Sequence, residues 1–364
     1  MMILKNASVF VENRFEICDI AVENGKVTAI GQLEGQGVDC TGLRILPGLV
    51  DVHSHGCAGF DFDHADECQL EQMCACYLRH GVTTVLATLM TNPRELLLEA
   101  AARCGKAQAP IRGIYLEGPF FGPAKKGAHD AQHLSPIDGA FFAALDKAAG
   151  GNIRIVAVDP CLEGAEDFIR KFSADKRLTL AHTSATYDQA QQAFAAGATQ
   201  VTHLYNAMTG LAHREPGLVG AALAGDCLAE VICDGIHIHP AVLKVSFQAL
   251  GERGMVISDS MAACGLADGQ YSLGGQAVTV CGPRATLADG TLAGSVTFAW
   301  DGMVNLIRAG VPAEQAVAAA TAIPAKSAGL EDCCGSIAVG RDADLVLCDS
   351  DWKIRQVYFR GEAV

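Results

Sequence analysis

The stretch Ile45 to Gly59, reading ILPGLVDVHSHGCAG, divides the chain into a short leading segment and a long following one. At its centre, Leu49-Val50-Asp51-Val52-His53 is an apolar run opened by Pro47-Gly48. A run of that length bounded by Pro and Gly reads as a buried strand. Residues i and i+2 of a strand face the same side, so His53 and His55 can present two imidazoles to one point. A divalent metal wants that geometry. Two histidines at a strand end also serve to cap a turn, and the stretch alone leaves both uses open.

Upstream, residues 3–39 alternate polar and apolar side chains, and Asn24-Gly25 between two such runs signals a hairpin. The pattern returns at the far end, in Gly335-Ser336-Ile337, Asp344-Leu345-Val346-Leu347 and Val357-Tyr358-Phe359-Arg360. Neither piece is large enough to bury a sheet alone, so the two ends are expected to pair into one small β-domain. The expected division is 1–47 and 331–364 for that domain and 48–330 for a larger one.

Between them the pattern changes to strand, helix, strand, which implies a parallel sheet with crossover helices. Eight strands are expected at 48–53, 83–88, 111–117, 153–158, 178–182, 200–203, 230–234 and 255–259. Helices fall between them, as at 67–79, 94–106 and 187–196. Eight such units make a (β/α)8 barrel, which takes roughly 250 residues. Six of the strands end in a side chain able to bind metal: His53, Glu117, His182, His203, Asp234 and Asp259. Any one alone is a solvated strand end. Six on the rim where such barrels carry their active sites point to a shared centre.

The bulk composition narrows the partners. The chain has 364 residues, half of them apolar, with a net charge of -14 and no run of Lys or Arg longer than a pair such as Lys125-Lys126. That excludes nucleic acid as a partner, and it means any anionic substrate must be held by local cations. Fifteen cysteines, odd in number, lie scattered in apolar segments with no Cys-x-x-Cys pair. Reduced buried thiols fit this better than disulfides or a thiolate zinc site. Charges interrupt MMILKNASVFVENRFE before a signal-peptide core forms, and no apolar run reaches membrane-spanning length. The expected location is the cytoplasm.

Glu117, His182 and His203 offer one carboxylate and two neutral imidazoles, a set that holds a divalent ion and leaves a position for water. Such an ion lowers the pKa of its water to about 7, and Asp259 is the natural general base for it. Asp259 in Ser258-Asp259-Ser260-Met261 is also placed to cap a helix.

PGLVDVHSHG resembles the metal-binding first strand of the amidohydrolase superfamily, metal-dependent hydrolases on (β/α)8 barrels. Further strings narrow the likeness: YLEGPFFGPAKKGAHDAQHL, VTHLYNAMTGLAHREPGLVG, VICDGIHIHP, VISDSMAACG and LADGTLAGS. They resemble the N-acetylglucosamine-6-phosphate deacetylases over nearly the whole chain, with HLYNAM followed by REPG the most specific. The resemblance implies Glu117, His182 and His203 as metal ligands, Asp259 as catalytic acid/base, and His129 as the group polarising the acetamide carbonyl. It implies sugar contacts at Ala128, Asn206 and Ala207, a phosphate site at Arg214 and His237, and a closing loop at Leu292, Ala293 and Gly294. It also implies a homodimer in which Arg214 reaches into the neighbour's site. The small domain at the chain ends is, by the same likeness, a β-sandwich.

The family varies at the first strand: some members keep His-x-His and others replace it and use a single ion. His53 and His55 are therefore candidates for a second ion, and one or two per subunit remain open. Zinc is the first expectation, while iron and manganese suit the same donors. The family commonly has Asp-Ala where this chain has Asp259-Ser260. His64, His80, His133, His213 and His239 take no assigned role and read as surface or satisfied polar residues, with His133 and His239 the candidates for an exception, since His239 lies close enough to His237 to compete for the phosphate. A dihydroorotase-like site needs a carboxylated lysine on strand four, and Val156-Ala157-Val158-Asp159-Pro160 has none. The remaining alternatives are a galactosamine epimer or another N-acyl group as substrate and a non-catalytic barrel acting as a binding module.

Overall fold

A computed structural model describes residues 1–364. Eight parallel strands lie side by side in chain order: Leu49–Ser54, Val82–Leu89, Ile111–Leu116, Ile153–Val158, Arg177–Leu180, Gln200–Val201, Leu228–Ile232 and Gly254–Ile257. The eighth returns to the first through a Ser54–Ser260 bridge, with Asp259 N–H donating to His53 O at 2.9 Å and His55 N–H to Ser260 O at 2.8 Å. This is the (β/α)8 barrel read from the sequence. The helices that follow the strands begin where the sequence supplies caps. Asp66 and Gln69 form a capping box for Glu67–Arg79, and Thr186 and Gln189 form one for Tyr187–Ala196.

Several strands are shorter than expected at their C-terminal ends. The fifth, sixth and eighth stop at Leu180, Val201 and Ile257, two residues before His182, His203 and Asp259. Those three residues adopt left-handed backbone, with φ of +47°, +25° and +49°. Each such residue costs about 1–3 kcal/mol, a strain that persists where surrounding structure imposes it. The backbone turns inward there and aims the side chains over the barrel mouth.

The chain ends build one sheet, ordered Glu362–Ala363, Ile354–Phe359, Leu345–Cys348, Arg44–Pro47, Met2–Val11, Arg14–Glu23 and Lys26–Gly31, with Val38–Asp39 beside Met2–Val11. Asn24 and Gly25 make the expected hairpin turn, both at positive φ. Residues from both chain ends, among them Leu4, Ile20, Ile45, Leu345 and Leu347, share a small core separate from the barrel's. Arg44–Pro47 passes into the first barrel strand through Gly48, where a Cβ would lie 2.1 Å from Thr83 Oγ1. Only glycine fits that junction.

A feature not read from the sequence interrupts the last βα unit. Gly269–Leu273, Gln276–Cys281 and Arg284–Thr286 form a three-stranded antiparallel sheet over the barrel mouth. It packs through Leu273, Val278 and Val280 against Met90, Ala128, Met261 and Ala293. Its position makes it one wall of the cavity described next.

Candidate active site

A cavity of about 370 Å³ opens at the C-terminal ends of the strands. Glu117 lies at its centre, buried, one residue beyond the third strand. Its Oε1 is 3.0 Å from His182 Nε2 and 3.1 Å from His203 Nε2, and those two nitrogens are 3.1 Å apart. Its Oε2 is 3.3 Å from His55 Nε2 and 3.5 Å from His129 Nε2. Asp259 Oδ1 is 3.1 Å from His55 Nε2 and 3.6 Å from His53 Nε2. Residues from six places in the chain thus meet within one small volume. Gly127 permits the approach, because a Cβ there would lie 3.1 Å from His182 Cε1.

The proton inventory shows what the cluster lacks. His182 Nδ1–H donates to Lys125 O at 2.9 Å, which leaves a lone pair on Nε2. His53 Nδ1–H donates to the buried Glu230 Oε2 at 2.8 Å, and the lone pair of its buried Nε2 has no hydrogen-bond partner. These nitrogens face carboxylate oxygens, so acceptor meets acceptor unless a proton or cation stands between. Donors bound to a tetrahedral ion at about 2.0–2.1 Å stand roughly 3.3 Å apart, close to the spacing of Glu117 Oε1, His182 Nε2 and His203 Nε2. Two overlapping sets have metal-binding proximity: His53, His55 and Glu117, and Glu117, His129 and His182. The residues fit a divalent ion.

The electrostatics agree. Burial opposes charge on His53 and His55, yet Glu117 and Glu230 raise the first, and Asp259 and Glu117 the second, above the ordinary histidine value. Burial alone would push Asp259 up, but the hydrogen bond from His55 and the charge of His53 hold it at about 2. No lysine or arginine pairs with Glu117, Asp259 or Glu230; all their ionic partners are histidines. The site draws positive charge towards itself. Burial, with His129 nearby, lowers His182 to about 4, so it stays neutral and free to ligate.

The other residues singled out in the sequence fall into groups. Ala128, Asn206, Ala207, His237, Leu292 and Gly294 line the cavity with the cluster. Ala293 does not; it is buried, with its N–H on Ala285 O at 3.1 Å, tying the loop to the antiparallel sheet. Arg214 lies in an exposed loop outside the cavity. Asp234 is not with the other strand-end groups: its Oδ2 takes His237 Nδ1–H at 2.7 Å. His239 caps the helix Pro240–Leu250 by accepting Ala241 N–H, and so is absent from the cavity wall. His64 pairs with Asp61, and His80 stacks on Phe298 and donates to Cys76 O.

Met90, Lys125, Leu273 and Thr291 also line the cavity, and Glu230 supports it from beneath. Sequence reading passed over all five. Glu230 carried a signal, since it is a lone charge inside the apolar run Leu228–Ile232.

This fold and this site define a class, the amidohydrolases. Residues 44–364 match the model of the Amidohydrolase family. The chain is 36% identical to the N-acetylglucosamine-6-phosphate deacetylase of Vibrio furnissii, over 94% of this chain and 89% of that protein. It is 35% identical to the N-acetylgalactosamine-6-phosphate deacetylase of Escherichia coli O157:H7, over 94% and 93%. Among solved structures, a mutant N-acetyl-D-glucosamine-6-phosphate deacetylase of Mycobacterium smegmatis, in complex with N-acetyl-D-glucosamine-6-phosphate, superposes with a TM-score of 0.95. Identity there is 31%, covering 100% of this chain and 98% of that one. The chain belongs to the amidohydrolase family, among its N-acetylglucosamine-6-phosphate deacetylases.

Proposed function

We propose that the chain hydrolyses the acetamide of N-acetylglucosamine-6-phosphate to glucosamine-6-phosphate and acetate. The observation that carries this reading is the convergence of Glu117, His182, His203, His55 and Asp259 on one point of a cavity in a deacetylase-like barrel. Glu117, His182 and His203 would hold a divalent ion, zinc first and iron or manganese by the same donors, with His53 and His55 offering a place for a second. When bound, it polarises the amide carbonyl and makes water nucleophilic near neutral pH.

The chain's own groups do the rest. His129 Nδ1 accepts the Thr91 N–H at 3.4 Å, which leaves the proton on Nε2 to donate to the carbonyl oxygen as negative charge builds there. Asp259, ionised, takes a proton from the attacking water and passes it to the departing amine. Asn206, Ala207 and the Leu292–Gly294 loop surround the sugar, and His237 faces its phosphate. Arg214 is exposed and outside its own cavity, the placement required by a homodimer in which it serves the neighbouring site. Fifteen unpaired cysteines, most of them buried, fit a reducing cytoplasm.

The test is a set of steady-state rates with the gluco and galacto 6-phosphates, each beside its unphosphorylated form. The expected order puts N-acetylglucosamine-6-phosphate first in kcat/KM. A preference for the galacto epimer, which the Escherichia coli relative acts on by name, would move the reading to that sugar. Equal rates with and without phosphate would overturn the anion site.

A further inference from the structure

The loop after the seventh barrel strand contains an acid and an imidazole that the hydrolytic centre does not use. Asp234 Oδ1 accepts the N–H of Ile236 at 2.8 Å and of His237 at 2.9 Å, while Oδ2 accepts His237 Nδ1–H at 2.7 Å. Both side chains are nearly buried, at 2% and 6% exposure. With Nδ1 committed to Asp234, the edge that His237 offers the cavity is Nε2, which has no partner in the protein and is not sealed from solvent.

The protonation of that edge decides what it recognises. A neutral ring whose proton sits on Nδ1 presents a lone pair at Nε2, and a lone pair repels a phosphate oxygen. A doubly protonated ring presents a charged N–H donor, the stronger kind of hydrogen bond. We propose that Asp234 is a positioning residue for the anionic end of the substrate, holding His237 as an imidazolium whose Nε2–H donates to a phosphate oxygen. This rests on the 6-phosphate reading given above.

Three observations carry it. Asp234 meets His237 through one oxygen and fixes the intervening backbone through the other, so ring and charge are held together. Burial opposes charge on His237, but the charged groups facing it are two carboxylates, Asp234 from its own loop and Asp259 just past the last barrel strand, and together they raise it above the ordinary histidine value. A chain with a net charge of -14 must supply local cations to bind phosphate; Lys125 also lines the cavity, while Arg214 is outside the cavity of its own subunit.

The experiment uses the metal-loaded enzyme and its Asp234→Asn variant, with the 6-phosphate, the 6-sulfate and the unphosphorylated sugar. The 6-sulfate keeps one charge across neutral pH, so any pH dependence of its KM belongs to the protein. Asp234→Asn should raise KM for both charged substrates on the order of tenfold, because a charged donor is replaced by a neutral one. It should leave kcat within about twofold, leave the unphosphorylated sugar unaffected, and move the rise of KM for the 6-sulfate to lower pH. A variant that keeps the wild-type KM profile while the wild type prefers phosphate would overturn the role of Asp234 alone. A wild type indifferent to phosphate would overturn the substrate reading and this proposal with it. If the variant does not fold, nitrogen NMR of the wild type, assigned with His237→Gln, decides. Both ring nitrogens of His237 protonated at pH 7 is the expected result, and a neutral ring contradicts it.

Discussion

At the floor of the barrel Arg112 pairs with Asp342 at 2.8 Å and reaches Asp344 at 3.5 Å. Beside it Arg154 donates to Ala328 O, and Arg177 to Ser327 O and Lys326 O, the carbonyls that end the helix Ala322–Ser327. At the mouth, Glu117, Asp259 and Glu230 are more deeply buried than Arg112 and Asp342, and their ionic partners are all histidines. The floor sets its cations against a carboxylate or a helix end from within the chain, although Asp344 Oδ2 is left without a hydrogen bond. The mouth sets carboxylate oxygens against imidazole nitrogens, acceptor against acceptor unless a proton or cation stands between them.

That contrast can be broken most severely at Asp259. Asp259→Asn should lower kcat on the order of a hundred-fold or more while bound metal is unchanged, since the proton carrier is lost and Glu117, His182 and His203 are intact. Elemental analysis beside turnover checks it, and normal turnover would remove Asp259 from its role. A smaller effect is expected one layer out. Glu230 orients His53 through Nδ1, accepts His203 N–H at 3.3 Å, and is braced by the Gln200 amide, itself held by Ser327. Glu230→Gln should weaken metal binding by about 10–100-fold, as supporting carboxylates of ligand histidines commonly do. Competition with a chelator reads that directly, and an unchanged affinity would make Glu230 a stability residue like those of the floor.

The floor should respond in stability and leave turnover unchanged. Burial, outweighing the Arg360 N–H and the Arg112 charge, raises Asp344 from the ordinary carboxylate value to about 6. The fold therefore favours the protonated form, and that contribution is full below about pH 4 and lost as pH rises towards 6. The slope amounts to roughly 3 kcal/mol, at 1.36 kcal/mol per pKa unit. Asp344→Asn should remove its share of that loss in denaturant titrations at pH 4 to 7 without altering kcat, while Asp51 and Asp63, raised by burial to about 6 and about 7, keep theirs. A pH dependence identical to that of the wild type would remove Asp344 from this role.

Much of this architecture is legible in the sequence because it rests on local pattern. His53 and His55 face one side because a strand repeats every two residues, and Asn24-Gly25 turns a hairpin because both residues tolerate positive φ. What was not legible depends on distant partners. Asp234 sits at a strand end as a ligand would, and only the fold of the next three residues directs it to His237. Glu230 acquires meaning from His53, far earlier in the chain. The sheet Gly269–Thr286 has a local signal in Gly274-Gly275 between alternating runs, but it interrupts the strand-helix rhythm on which the barrel reading rests. The strands end earlier than their apolar runs suggest where His182, His203 and Asp259 turn left-handed, a conformation that contacts across the mouth impose against local preference.

Completion of the mouth by a divalent ion from outside the chain is tested most directly by elemental analysis of protein purified without chelators, compared with its Glu117→Gln variant. Wild type should carry one or two equivalents of divalent metal per subunit, and the variant should lose metal together with deacetylation. Wild type that hydrolyses the 6-phosphate at full rate while free of metal, or a variant that keeps the full complement, would contradict it.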